Sequence, residues 1–262
     1  TPLSAGTYAF QLLAFDAAGN ASPLTPMLDF SVLGAAPLPP SITGVYDDAG
    51  GNIQPHQPSN DATPTFKGTA AMGTIVKVYE VNGAGEKILL GSVPVDGQGN
   101  WSLSTSNLGE GNHNIIATAT DAAAQVSDPT GIYPVFIDTI APGKPDGLQA
   151  IDLVGDKQGP ITGGVTDDAA PEIKGRAEPE GTVTLYDNGQ KLGTAHVGAN
   201  GEWSFKPTTV LADGNHSITA TVVDKAGNVS APSDALTFNV NTEGMELVIQ
   251  RVMDDYGSIQ GP

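Results

Sequence analysis

The chain has 262 residues, of which 29 are acidic and 11 basic, for a net charge of −18, and it contains no cysteine. That balance repels phosphate backbones and anionic bilayers, so nucleic acid is excluded as a partner. The missing cysteines exclude disulfides, thiolate nucleophiles and Cys-based zinc sites. No stretch approaches the roughly 18 consecutive apolar residues of a membrane-spanning helix, so membrane insertion is not expected.

With 33 glycines and 20 prolines, long helices have little room, and many short strands joined by turns are expected instead. In chain order, the first residues, Thr1 to Phe10, carry no signal-peptide pattern and read as the middle of a domain. Gly6 to Asp16 forms a strand-like run that ends at a Gly19-Asn20 turn, and a Pro-rich linker, Gly34 to Pro40, follows. A fresh pattern then opens with Val45, Asp47 and Asp48.

Its elements recur. Pro64 to Gly68 matches Pro171 to Gly175, Gly99-Asn-Trp101-Ser matches Gly201-Glu-Trp203-Ser, and Leu90-Gly91 matches Leu192-Gly193. Gly111 to Asp121 matches both Gly214 to Asp224 and Gly6 to Asp16. The spacing is about 100 residues, too long for a solenoid and right for whole domains with separate cores. It places the end of one repeat at residues 1–40, complete domains at 41–141 and 142–242, and the start of another repeat at 243–262.

Within a repeat the pattern is all-β. Ile218, Ala220 and Val222 alternate with Ser217, Thr219 and Thr221, the period of a half-buried strand. Turn signals at Asp187-Asn-Gly189, Ala199-Asn-Gly201 and Asp213-Gly214 separate such runs. About seven short strands per repeat predict a β-sandwich with Trp101 and Trp203 as core anchors. Leu-x-x-Gly-x-(His/Tyr) occurs at Leu3 to Tyr8, Leu108 to His113 and Leu211 to His216. It resembles the tyrosine corner of immunoglobulin-like sandwiches, so both histidines are expected to be structural.

Together, Gly99 to Ser102, Leu108 to His113, Asp224 to Ser230 and Asp138-Thr-Ile-Ala-Pro142 resemble the bacterial Ig-like tandem repeats of giant type I-secreted, RTX-type and biofilm-associated adhesins. The resemblance covers essentially the whole chain. It implies all-β, tandem immunoglobulin-like Greek-key sandwiches arranged as an elongated rod, with Ca2+ at domain junctions. It also implies a secreted, cell-surface stalk whose role belongs to adhesion to host cells, biofilm formation and virulence. The chain departs from the pattern at Asp121-Ala-Ala-Ala124-Gln, which lacks the Gly-Asn of the other copies, and the Asp-Thr-x-Ala-Pro linker occurs once.

In such a sandwich the chain enters at one pole and leaves at the other. Asp16, Asp121 and Asp224 begin the loop at the entry pole. Asp47, Asp48, Asp61, Asp156, Asp167 and Asp168 lie in the long first loop at the exit pole, and Asp138 lies in the linker. Stacking would bring these ten carboxylates to the junctions, where Ca2+, which takes about six to eight oxygen ligands, would neutralise them. The competing role for loop aspartates is turn formation, most of all at Asp187 and Asp213. No EF-hand spacing is present.

Nucleophile elbows, zinc-protease helices and phosphate-binding loops are absent from the sequence, so no enzyme is expected. The expected partners are neighbouring Ig-like repeats in the same chain, in a monomer, with a host glycan or protein engaged by a distal part of the parent. The alternative is a module that binds such a ligand itself, with Tyr46 and Tyr133 as candidate exposed aromatics.

Overall fold

The computed structural model describes residues 3–48, 51–161 and 164–243. No helix occurs among them, and the chain divides at Ile140/Ala141 into two compact units.

The first unit opens with β1 (Gly6–Phe10) and β2 (Leu28–Val32), an antiparallel pair in which Gly6 faces Val32 and Phe10 faces Leu28. The side chains of Phe10, Leu28 and Phe30 are exposed, and the rings of Phe10 and Phe30 stack with centroids 5.1 Å apart. Then follow β3 (Ser41–Tyr46), β4 (Pro58–Ser59), β5 (Thr65–Thr69), β6 (Ile75–Val81), β7 (Lys87–Pro94), β8 (Asn100–Ser104), β9 (Gly111–Thr120) and β10 (Tyr133–Ile137). They form a three-stranded sheet in the order β3-β5-β8 and a five-stranded sheet in the order β4-β10-β9-β6-β7. The core between the two sheets contains Val45, Phe66 and Trp101 from the first and Val76, Val78, Ile115, Ala117, Val135 and Ile137 from the second.

The second unit repeats this plan with β11 (Asp146–Asp152), β12 (Gly159–Pro160), β13 (Val165–Thr166), β14 (Glu172–Arg176), β15 (Thr182–Asp187), β16 (Gln190–His196), β17 (Glu202–Phe205), β18 (Gly214–Val223) and β19 (Leu236–Val240). Its sheets run β12-β11-β14-β17 and β13-β19-β18-β15-β16. Each complete repeat holds more strands than the seven expected. The additions are two-residue pieces, β4, β12 and β13. β4 and β13 pair in parallel with the last strand of their domains (Ile137 with Ser59, Val240 with Thr166). The first strand thus crosses from one sheet to the other through a loop rich in Gly, Pro and Asp. Period-two reading misses segments this short.

The alternation read in Ser217–Asp224 holds, because Ile218, Ala220 and Val222 are fully buried along β18. Trp101 and Trp203 are core residues, 3% and 4% exposed. Their partners explain two motifs. Trp101 faces Gly68 across β8/β5, and Trp203 faces Gly175 across β17/β14. A Cβ at Gly68 would lie 1.8 Å from the Ser41 carbonyl oxygen and 2.7 Å from the indole. At Gly175 it would lie 2.7 Å from the Trp203 ring and 2.9 Å from the Asp146 carbonyl oxygen. Lys-Gly and Gly-x-Trp-Ser are therefore one unit: a small residue makes the space the indole fills.

The tight turn Asn188-Gly189 (φ 48° and 80°) joins β15 to β16 with a two-residue loop, as that dipeptide favours. The expected fourth repeat at 243–262 lies, after Glu243, outside the described residues.

Candidate functional site

The three entry-pole aspartates sit in one recurring turn. In each copy a carboxylate oxygen accepts the backbone N–H four residues on: Asp16 from Asn20 (2.8 Å), Asp121 from Gln125 (2.8 Å), Asp224 from Asn228 (2.9 Å). The other oxygen accepts the side-chain amide of that same residue. Two residues further, Ser22, Ser127 and Ser230 each accept the N–H of the strand opposite, from Ala14, Ala119 and Val222. Each serine also donates to the next carbonyl. The Asp-x-Ala-Gly-Asn-x-Ser motif is thus a self-closing hairpin cap in which the aspartate is a turn former. The Asn20 side-chain and backbone N–H groups hold the Asp16 carboxyl below the usual carboxylate range. In the middle copy Gln125 replaces Asn, and Ala124 takes a left-handed φ of 62° where Gly19 and Gly227 take 90° and 97°. The departure from the pattern therefore changes residues while keeping the turn.

The exit-pole acids are arranged differently in the two complete domains. In the first, Ser59 is the pivot. Asp61 N–H donates to Ser59 Oγ (3.2 Å), and Asp138 N–H donates to the Ser59 carbonyl (2.9 Å), so two carboxylate residues flank one serine. Asp61 Oδ1 accepts the Thr63 N–H (2.7 Å) and hydroxyl (3.0 Å), whereas Asp61 Oδ2 is buried with no hydrogen-bond partner. Asp138 Oδ1 accepts the Ile140 N–H at 3.2 Å. Asp47 binds the Gly51 N–H at 2.7 Å, and Asp48 is exposed. Glu110 accepts the Thr139 N–H at 3.1 Å.

In the second domain the position of Asp61 is taken by Asp168, 4% exposed, whose two oxygens accept the N–H groups of Ala170 (2.8 Å) and Leu153 (3.0 Å). Asp152, 6% exposed, takes the Thr166 hydroxyl at 2.5 Å and the Val154 N–H at 3.0 Å. Asp156 and Asp167 are exposed, and Asn241 stands where the first domain has Asp138. Among the described residues, no three Asp, Glu or His side chains converge closely enough to hold an ion by themselves. Asp152 went unnoticed in the sequence because it ends an apolar strand and lacks an acidic neighbour. Its one signal is that it occupies the position of Asp47.

The corner motif behaves as its resemblance predicted. Tyr8 Oη donates to the Ser4 carbonyl at 2.7 Å, four residues back. His113 Nε2 bonds to the Gly109 carbonyl (2.7 Å) and His216 Nε2 to the Ala212 carbonyl (2.8 Å), at the same offset. Both histidines also meet a carboxylate, whereas the second partner of Tyr8 Oη is the Ser4 hydroxyl at 3.1 Å. His113 Nδ1 lies 2.7 Å from Glu80 Oε1, and His216 Nδ1 lies 2.7 Å from Asp187 Oδ2. Asp187, expected to be a solvated turn former, is therefore the partner of a buried ring. Neither candidate aromatic forms an open platform. Tyr133 donates to the Ile53 carbonyl (3.0 Å), and the Lys67 ammonium caps the Tyr46 ring at 4.5 Å.

The bacterial Ig-like domain family matches at residues 37–139 and again at 149–242. The chain belongs to that family. Its two matched domains coincide with the two eight- or nine-stranded sandwiches described above. Similar folds occur in the fibronectin(III)-like modules of Clostridium thermocellum CbhA (14% identity, 78% of this chain and 99% of that one, TM-score 0.43). They occur also in a tetra-tandem repeat from the extending region of a large adhesion protein (21%, 92% and 58%, 0.30) and in the BSP domain of a biofilm-associated protein (20%, 73% and 30%, 0.27). None of the curated proteins matches. These bacterial Ig-like domains are of a kind that serves as a structural module, and among the described residues no helix is long and apolar enough to cross a membrane.

Proposed function

We propose that this chain is a calcium-stiffened spacer in the stalk of a large, secreted bacterial surface adhesin, whose parent mediates adhesion or biofilm formation. The Asp61 carboxylate carries the reading. A buried carboxylate oxygen without a donor or cation costs on the order of several kcal/mol, and a divalent cation would offset that cost in a chain already rich in carboxylates. Asp138, across Ser59, is the natural second carboxylate, and Asp47 and Asp48 follow in the loop after β3. Carbonyl, hydroxyl and water oxygens would complete the shell of about six to eight that Ca2+ accepts; Mg2+ demands a stricter octahedron.

The second domain has less need of an ion. Asp168 already has two N–H donors and Asn241 replaces the linker aspartate. Occupancy is thus proposed at the exit pole of the first complete domain, and Asp16, Asp121 and Asp224 serve mainly the turns. Residues 1–40 fit the last two strands of a preceding repeat, since β1 and β2 keep the register of β9/β10 and β18/β19, with Gly facing the final residue in each pair. Neighbouring repeats of the same chain would be the principal partners, in a monomeric rod. Calcium titration calorimetry on the full chain tests the assignment. Binding should be lost in Asp61→Asn and kept in Asp168→Asn. No binding by the parent chain, or equal binding by both variants, would contradict it.

A further inference from the structure

The free edges of the two five-stranded sheets are built alike and finished differently. β7 ends the sheet of the first complete domain and β16 ends that of the second. Among the described residues, each pairs with one strand, β6 or β15, and no loop backbone bonds to its outer side. Such an edge presents a row of unpaired N–H and C=O groups, a template for another strand unless something blunts it. Both edges carry a bulge at the same place, where Leu90 or Leu192 has no opposite residue, so the bulge does not distinguish them. The side chains do. Leu89 faces Tyr79 and Ile88 faces Glu80, and the two are 55% and 49% exposed. At the same positions, opposite Tyr186 and Asp187, the second domain has Lys191 and Gln190. A lysine within an edge strand guards it against a further strand, and β7 has only Lys87, at its first residue.

We propose that β7 is where a second copy of this chain joins, antiparallel and two-fold symmetric, so that the first complete domains of two copies share one continuous sheet. The edge suits itself. Centred between Leu90 and Gly91, the pairing sets Ile88 of one copy opposite Val93 of the other, and Leu89 opposite Ser92. The two Lys87 ammonium groups then lie about seven residues, roughly 23 Å, apart. Each stands at the end of β7 in the other copy where Asp96 follows Pro94, a cation beside a carboxylate. Pairing of one edge with itself closes at a dimer and does not propagate. The −18 charge of each chain opposes the encounter, so the pairing is weak and strengthens as salt screens the repulsion. On a crowded surface, many copies of a weak contact add up, and stalks that are single chains when dilute would hold one another side by side. That role goes beyond the spacer reading and does not depend on calcium.

The test uses the full chain, in chelator so that the calcium assignment is not at stake. In sedimentation equilibrium the average mass of the parent should climb from one chain toward two as concentration rises, and more steeply at about 0.5 M salt than at about 0.05 M. Ile88→Gln with Leu89→Lys gives β7 the residues of β16 at two exposed positions, and this variant should remain at one chain. Amide hydrogen exchange should slow along β7 at high concentration in the parent and stay unchanged along β16. A parent that keeps the mass of one chain throughout, or whose β7 exchange ignores concentration, would overturn the pairing and leave the edge to a strand of another protein. Association that persists in the double variant would overturn it too, because the contact would then lie elsewhere, as on the exposed apolar side chains of β1 and β2.

Discussion

Adding a single methyl group at Gly68 or Gly175 should damage one domain and spare the other. At Gly68 the new Cβ would meet the Ser41 backbone oxygen at 1.8 Å and the Trp101 indole at 2.7 Å, and β3 would have to move away from β5 to admit it. Overpacking a tight core costs about 1–3 kcal/mol, occasionally more, and a clash with backbone belongs at the upper end. For a domain of this size about 3 kcal/mol corresponds to a fall of roughly 15 °C in that domain's midpoint. At Gly175 the backbone contact is longer, 2.9 Å, and the Trp203 ring at 2.7 Å takes most of the strain, so the loss should be smaller. Calorimetry of the full chain separates the two transitions, and each complete domain carries one tryptophan for a parallel fluorescence reading. Gly175→Ala combined with Trp203→Leu should cost less than the sum of the two single changes, because the smaller residue removes the clash. A Gly68→Ala chain that melts within about 2 °C of the parent would refute the Gly–Trp pairing as the reason for the motif.

Further outcomes follow from the turns and from titration. Ala124→Gly should stabilise the first complete domain by about 0.5–1 kcal/mol, since it removes a left-handed φ of 62° from a residue with a Cβ; denaturant unfolding reads this, and a loss would contradict it. Ser127→Ala should cost about 1–3 kcal/mol, because the Ala119 N–H is left buried without its acceptor, and a change within error would show that water replaces the hydroxyl. Backbone N–H donation from Asn100 and then Gln98 depresses the Asp96 carboxyl in the fold, so its contribution is present above the ordinary value of 3.8 and is lost as pH falls through the depressed one. Carbon-13 titration of Asp96 checks that direction, which Asp96→Ala should abolish in acid unfolding curves. Burial, with the Tyr46 charge second, raises the Tyr133 hydroxyl above 10.0, so the domain should hold its stability up to that pH and lose it above, a loss that Tyr133→Phe removes from alkaline melts.

Much of the fold was legible in the sequence because its repeats report the same constraints more than once. Trp101 and Trp203 at matching positions read as core anchors, and the Leu-x-x-Gly-x-His spacing read as a corner motif whose ring bonds back along the chain. What escaped was long-range. Gly68 and Gly175 look like strand interruptions until the facing tryptophan is known. Glu80 and Asp187 lie near the ends of β6 and β15, 33 and 29 residues from their histidines, so no local pattern ties them together. The aspartates were legible as a class and divided in role. Asp16, Asp121 and Asp224 are spent on their own turns, whereas Asp61 and Asp168, at equivalent positions, differ through what the neighbouring loop donates. That difference arises from the Leu153 N–H, a backbone group that side-chain patterns do not encode.

The central claim is that calcium stiffens this chain. Small-angle scattering with a thermal melt, on the full chain in excess calcium and then in chelator, tests it most directly. The account predicts a longer, stiffer particle and a higher midpoint for the first complete domain with calcium, both lost in Asp61→Asn. Identical scattering and melting in calcium and in chelator would contradict it and leave an acidic spacer held together by its protein contacts alone.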